Sequence, residues 1–198
     1  MQEKSTRRSN QARSEEMRAR LIEVSRELFA EKGFAETGTP EIVKTAQVTR
    51  GALYHHFTDK TDLFRFVVQA EAKDVAKDIA QHSNTELGAA NQLKQGARTY
   101  FKSMRKPGRV RLLLLDGPAV LGPTEMATID ANTGGNTLKE GLSTLISDNT
   151  SPTTALADIL SAGFDRAALA IANGADEATF IDAIILILDG LADRPDPS

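Results

Sequence analysis

Between Thr39 and Lys60 the side chains able to do chemistry are Thr39, Lys44, Thr49, Arg50, Tyr54, His55 and Lys60. These types suit contacts to phosphate and base edges rather than bond making. An arginine at a helix start can grip guanine through two parallel hydrogen bonds, and the free N–H groups and positive dipole of a helix N-terminus favour an anion. Gly51 and Ala52, directly after Arg50, add so little bulk that the backbone can approach a groove closely. His55 and His56 are neighbours, about 100° apart on a helix, so they do not share a metal as residues four apart can. Paired carboxylates, a nucleophile with its base and a phosphate loop are not legible, and nothing calls for a cofactor. Asp116, inside an apolar run and before Gly117-Pro118, reads as a capping or hydrogen-bonded acid at a helix end.

Two short helices joined by a tight turn have to hold these groups. Thr39 is expected to cap the first, with Pro40 at its first helical position, where no N–H is needed, and Ile42, Val43 and Ala46 as its buried face. Ala46, Gln47 and Val48 make the turn. Thr49 caps the second helix, which Leu53, Tyr54 and Phe57 pin to the core, the tyrosine hydroxyl still reaching outward. Upstream, Met17, Leu21, Val24 and Leu28 mark one face of a helix from Ser14, which Gly33 ends and onto which Phe34 folds back. Downstream, Asp59 caps a helix carried by Leu63, Phe64, Val67, Val68 and Val75 to about Ala80.

The run from Arg20 to Phe64 resembles the N-terminal domain of the tetracycline-repressor (TetR) family of transcriptional regulators. The resemblance rests on ELFAEKGF, the Glu41-Ile42 pair, GALYHHF, and Lys60 followed by Asp62-Leu63-Phe64. Gly38 stands where the family often has Thr or Ser, and Gln47 where its turn usually has Gly, so Gln47 has to accept a left-handed backbone or reshape the turn. The resemblance implies phosphate contacts for Tyr54 and Lys60 and a DNA-reading set of Thr39, Lys44, Thr49, Arg50, Gly51, Ala52, Tyr54, His55 and Lys60.

Composition agrees with a helical, intracellular protein. The chain has 198 residues, 40% of them apolar, and no cysteine, which removes disulfides and thiolate chemistry. The N-terminus lacks the apolar stretch of a signal peptide and the longest apolar runs, such as Ala183 to Leu188, are too short for a membrane, so a cytoplasmic location and no membrane partner are expected. The formal charge is −3, yet residues 1–60 carry 11 Lys+Arg against 9 Asp+Glu, a net of +2 that leaves −5 for the remainder. Lys4, Arg7, Arg8 and Arg13 concentrate the excess in residues 1–13, a flexible basic arm that can add phosphate or minor-groove contacts.

The expected fold is all-α: a three-helix reader over residues 14–60, then a helical effector-binding and dimerisation domain over 61–198, with 61–81 as the linking helix. Breaks fall at Ser83-Asn84, Pro107-Gly108, Gly117-Pro118, Gly122-Pro123 and Ser151-Pro152, and no strand alternation is visible. The helices Thr153 to Ala172 and Phe180 to Leu191 are apolar over much of their perimeter. Leu156, Leu160, Phe164, Phe180, Ile184, Leu188 and Leu191 are therefore expected in a four-helix homodimer interface, the alternative being a buried helix of a monomer. The resemblance also implies a pocket for a small-molecule effector, with Phe101, Met104, Arg105, Leu112, Leu115, Asp116, Val120 and Met126 as its walls. The implied function is a repressor of an operator, released by a small molecule. The alternatives are a DNA-binding regulator responding to a protein partner, and a helical enzyme or carrier.

Overall fold

The computed structural model describes residues 3–84, 86–146 and 152–193, with side chains from residue 11 onward. Among these residues there are ten α-helices, one π-turn and no strand. The reader comprises α1 (Glu3–Lys32), α2 (Thr39–Ala46) and α3 (Arg50–His56), and α4 (Lys60–Gln81) links it to the rest. The C-terminal domain follows as α5 (Ala89–Met104), a π-turn (Arg111–Asp116), α6 (Gly117–Leu121), α7 (Pro123–Ala131), α8 (Gly134–Ile146), α9 (Thr153–Ala172) and α10 (Glu177–Ala192).

The first helix starts at Glu3, not near Ser14, so the expected flexible arm is largely continuous with α1. No glycine or proline interrupts residues 3–32, and helix-favouring residues such as Gln11 and Glu15, bonded at 3.1 Å, extend the helix beyond its apolar face. The contacts expected of Lys4, Arg7 and Arg8 lie outside the described side chains. Gly33, at φ +86°, ends the helix. Phe34 then folds back to make an aromatic cluster with Phe29 and Phe64, centroids 5.0 to 5.8 Å apart.

The turn between α2 and α3 takes the left-handed route: Gln47 sits at φ 56°, ψ 42°, and Val48 N–H closes onto Val43 O at 3.0 Å. A side chain in this conformation costs roughly 1–2 kcal/mol, and glycine's own entropic cost cancels part of the relief. Gln47→Gly is expected to raise the unfolding free energy by about 0.5–1 kcal/mol, measured by urea denaturation.

One core runs from Leu21, Phe29, Ile42, Leu53 and Phe57 through Leu63, Phe64 and Val67 of α4 to Phe101, Leu112, Leu142 and Leu188. A buried ion-pair network crosses it. Glu71 of α4 and Arg109, each 2% exposed, pair at 2.8 Å. Arg26 of α1 also reaches Glu71 at 2.9 Å and the Pro107 carbonyl at 2.9 Å. Arg109 in addition donates to Ser103 O at 3.0 Å and lies 3.3 Å from Asp78. Burial pushes the Glu71 carboxyl up, but the Arg26 and Arg109 guanidinium groups outweigh it and hold it below the usual carboxylate range.

The last two helices divide the residues expected at the interface into two groups. Leu160, Phe164, Ile184 and Leu188 are buried in the subunit's own core, and Leu156, Phe180 and Leu191 are half-buried. The outward apolar residues are Ile159 (69% exposed), Leu186 (74%) and Ile187 (47%). Exposed Ala183 and Gly190 extend the α10 stripe at helical spacing, and Ala162 and Gly163 do the same on α9. The surface these two helices offer to a second chain is therefore this exposed stripe, with half-buried Leu156, Phe180 and Leu191 along its edge and Leu160, Ile184 and Leu188 turned inward.

Candidate nucleic-acid interface

The reader's surface is built by local caps. Asp59 Oδ1 accepts Asp62 N–H at 2.7 Å to start α4, and Thr49 Oγ1 accepts Ala52 N–H at 3.1 Å to start α3. The first helix differs from expectation: Gly38, at φ −95° and ψ 148°, occupies the cap position and Thr39 lies inside α2 with Pro40 in its first turn. A glycine cap has no side chain to bond the helix start, so the Thr39 hydroxyl is turned to another use.

That use is Tyr54. The Thr39 hydroxyl, and after it the Arg50 guanidinium, lie beside the Tyr54 phenol and hold its pKa below the usual tyrosine value. Arg50 also lies over the Tyr54 ring, 5.5 Å from its centroid, as residues four apart on one helix face allow. Tyr54 is 40% exposed, so its ring is not the core residue that its spacing suggested. Leu53, with 0% exposure, and Phe57, with 2%, anchor α3 instead. Thr39, Arg50 and Tyr54 thus form one outward polar surface across α2 and α3.

Beside it Lys44, Thr49, Gly51 and His55 are exposed and Ala52 is half-buried. A Cβ on Gly51 would meet only Thr49 Oγ1, at 3.9 Å, so the fold does not need the glycine; the bare surface is open to a ligand's close approach. Burial, then the neighbouring charges of His55 and Arg18, lower the His56 pKa, which leaves this half-buried ring neutral near pH 7. Among the described residues no group of His, Asp or Glu is arranged to hold a metal.

Lys60 does not stand free for phosphate. Its ammonium donates to Phe34 O at 2.8 Å and Thr37 O at 3.0 Å, above the Phe34 ring at 4.1 Å. Two of its three N–H donors are thereby committed to the α1–α2 connection. Arg18, which the sequence did not single out, is similarly placed, over Phe66 at 4.1 Å and Phe57 at 5.4 Å, and fixes α1 against the end of α3.

The residues expected to wall a pocket differ widely in exposure. Phe101, Met104 and Leu112 are core, at 2%, 4% and 0% exposure, while Leu115 is 52% exposed. Arg105 pairs with Glu177 at the surface. Asp116 accepts the Phe34 N–H at 2.8 Å, a hydrogen-bonded acid rather than a pocket wall, and half-buried Met126 packs against Gly117 while Val120 is half-buried at the core's edge. A separate cleft of about 470 Å³ opens between α4 and α5, lined by Asp74, Asp78, Lys102, Ser103, Arg105 and Lys106 among others. Of the expected walls it includes Arg105. No helix among the described residues is long and apolar enough to cross a membrane.

Residues 21–67 match the family "Bacterial regulatory proteins, tetR family", and residues 90–194 match "Tetracyclin repressor-like, C-terminal domain". The chain is 36% identical over 70 residues to the HTH-type transcriptional regulator AcrR of Shigella flexneri, covering 35% of this chain and 33% of that protein. It is 24% identical over 127 residues to the HTH-type transcriptional activator FasR of Mycolicibacterium smegmatis, covering 64% and 58%. The chain thus spans about a third to three fifths of these curated relatives. A solved TetR-family transcriptional regulator from Pectobacterium atrosepticum superposes with a TM-score of 0.71 at 28% identity, covering 93% of this chain and 98% of that one.

Proposed function

Because the chain belongs to the tetR family of bacterial regulatory proteins, we propose that it is a sequence-specific, DNA-binding transcriptional regulator and not an enzyme. It acts in the cytoplasm as a homodimer that represses from an inverted-repeat operator and is released by a small molecule. The observation that carries the reading is the outward surface of Thr39, Arg50 and Tyr54 beside the bare N-terminal turn of α3. A two-fold pair of such readers matches half-sites in successive major grooves. The exposed apolar stripes of α9 and α10 support the dimer, since water-facing leucines and isoleucines of this extent ask for a partner surface.

Selection of binding sites from random DNA tests the reading, and an inverted repeat is the expected product. On that site Arg50→Ala should cost roughly 1–3 kcal/mol per base contact and relax the choice of base. Tyr54→Phe, which removes the hydroxyl beside Thr39 and Arg50 but keeps the ring beneath Arg50, should weaken all sequences alike. Random recovery, or the same base preferences in both variants, would count against these roles.

The closed packing around Phe101, Met104 and Leu112 favours a second reading, in which the C-terminal domain answers to a protein partner. A thermal-shift screen separates the two. A compound that stabilises the protein and lowers operator affinity supports the small-molecule reading, and linkage then requires operator DNA to lower the compound's affinity by the same factor.

A further inference from the structure

Phe34 is where the reader meets the rest of the chain. Its carbonyl takes the Lys60 ammonium of α4, its ring packs between Phe29 and Phe64, and its N–H goes to Asp116 Oδ2 at 2.8 Å, 82 residues away. From the other end of the same π-turn, Arg111 Nη1 donates to Glu31 O in the last turn of α1 at 2.8 Å. One short segment therefore satisfies both an orphan carbonyl at the end of α1 and the N–H just past it.

The backbone geometry of that segment is what brings both arms to one side. Arg111 and Asp116 are five residues apart. In an α-helix such positions point about 140° apart, whereas in an i→i+5 turn they lie roughly above one another. The turn is closed by Gly117 N–H onto Leu112 O. A Cβ on Gly117 would stand 2.7 Å from that same carbonyl oxygen and 3.1 Å from Met126 Sδ, so a residue with a side chain does not fit the turn as it stands. Three residues before the segment, Gly108 lies so close to Ala30 that a Cβ would fall 2.2 Å from the alanine methyl, which holds the start of the segment on α1.

We propose that the Arg111–Asp116 π-turn is the clasp by which the C-terminal domain sets the pose of the DNA reader, with Asp116 and Arg111 as positioning residues and Gly117 as the residue that permits it. This rests on the reading of the chain as a DNA-binding regulator. Relaxation of the π-turn to α-helical winding swings the two arms apart and frees the end of α1, leaving the reader held by α4 and by the Arg26–Pro107 and Ala30–Gly108 contacts. Rearrangement of the helices that pack on α6 and α7 then reaches the reader through a two-state backbone element.

The test compares Asp116→Ala, Gly117→Ala and the conservative Asp116→Asn, which keeps a carbonyl acceptor for Phe34. Hydrogen exchange at the Phe34 amide is measured without DNA, and affinity is measured on an operator selected with the wild-type protein. Asp116→Ala and Gly117→Ala are expected to speed Phe34 exchange and to weaken operator binding roughly tenfold, with little change in melting temperature for Asp116→Ala and near wild-type behaviour for Asp116→Asn. Should Gly117→Ala not fold, Asp116→Ala carries the test alone. Wild-type operator affinity in a folded Asp116→Ala protein overturns the proposal, as does unchanged Phe34 exchange. Failure of the wild-type chain to bind any DNA sequence sinks the regulator reading instead, and the two failures are told apart because amide exchange is read without DNA.

Discussion

Arg109→Met is expected to cost about 3–5 kcal/mol of stability, a large share of the roughly 5–15 kcal/mol that keeps a domain folded. The guanidinium is 2% exposed and pairs with a carboxylate, Glu71, that is equally enclosed. Methionine fills most of the volume, so the loss is that of charge and hydrogen bonds: Glu71 keeps Arg26, and Lys106 at 3.4 Å, but is left with half its guanidinium partners. Glu71→Leu together with Arg109→Met should recover part of the loss, because removing both charges costs less than stranding one. The same site gives a pH dependence of fixed sign. Arginine pairing depresses the Glu71 pKa in the folded state, so its contribution is fully present above the unfolded-state value, about 4.3, and is lost as pH falls through the lower folded value. Urea denaturation from pH 6 to pH 2.5 should show the wild type losing its advantage over Glu71→Gln in that acidic window. Parallel curves for the two proteins would contradict the assignment.

What was legible in the sequence was whatever is decided within one or two helical turns. Gly33 and Phe34 end α1 as expected, Thr49 and Asp59 cap α3 and α4, and Leu53 and Phe57 bury themselves, each through bonds or spacing confined to neighbours in the chain. Gln47 takes the left-handed turn, one of the two outcomes its place in the turn allowed. What stayed hidden depends on distant chain. Lys60 looks like a free cation until the carbonyls of Phe34 and Thr37, 26 and 23 residues away, are brought beneath it. Glu71 and Arg109 are 38 residues apart and carry no local sign of pairing. A run of four leucines gives no hint that its backbone winds as a π-turn, so Asp116 reads correctly as a bonded acid while its partner in the reader does not appear. The 52% exposure of Leu115 was hidden for the same reason, since π winding changes which side of the segment each leucine faces.

Leu186→Glu is expected to give a folded monomer, and Leu188→Glu an unfolded chain, although the two leucines are separated by a single residue. Along FIDAIILILDGL apolar residues occupy nearly every side, so periodicity alone does not say which face is core. The fold does: Leu188 has 0% exposure within one subunit, and Leu186 has 74%. A glutamate at position 188 puts an unpaired charge into the subunit's own core, a penalty of several kcal/mol in any oligomeric state. At position 186 the same carboxylate stays hydrated in a monomer and is desolvated only where a second chain covers α10. Circular dichroism with analytical ultracentrifugation reads both outcomes, and Ile187→Glu and Ile159→Glu should behave like Leu186→Glu because they share the exposed stripe. A folded, still dimeric Leu186→Glu/Ile187→Glu protein would show that the two subunits meet elsewhere. DNA binding should fall together with assembly, since each reader alone contacts one half-site and the second half-site no longer adds to its affinity. An intact reader on a monomeric chain thus provides the control that separates loss of the dimer from damage to the Thr39–Arg50–Tyr54 surface.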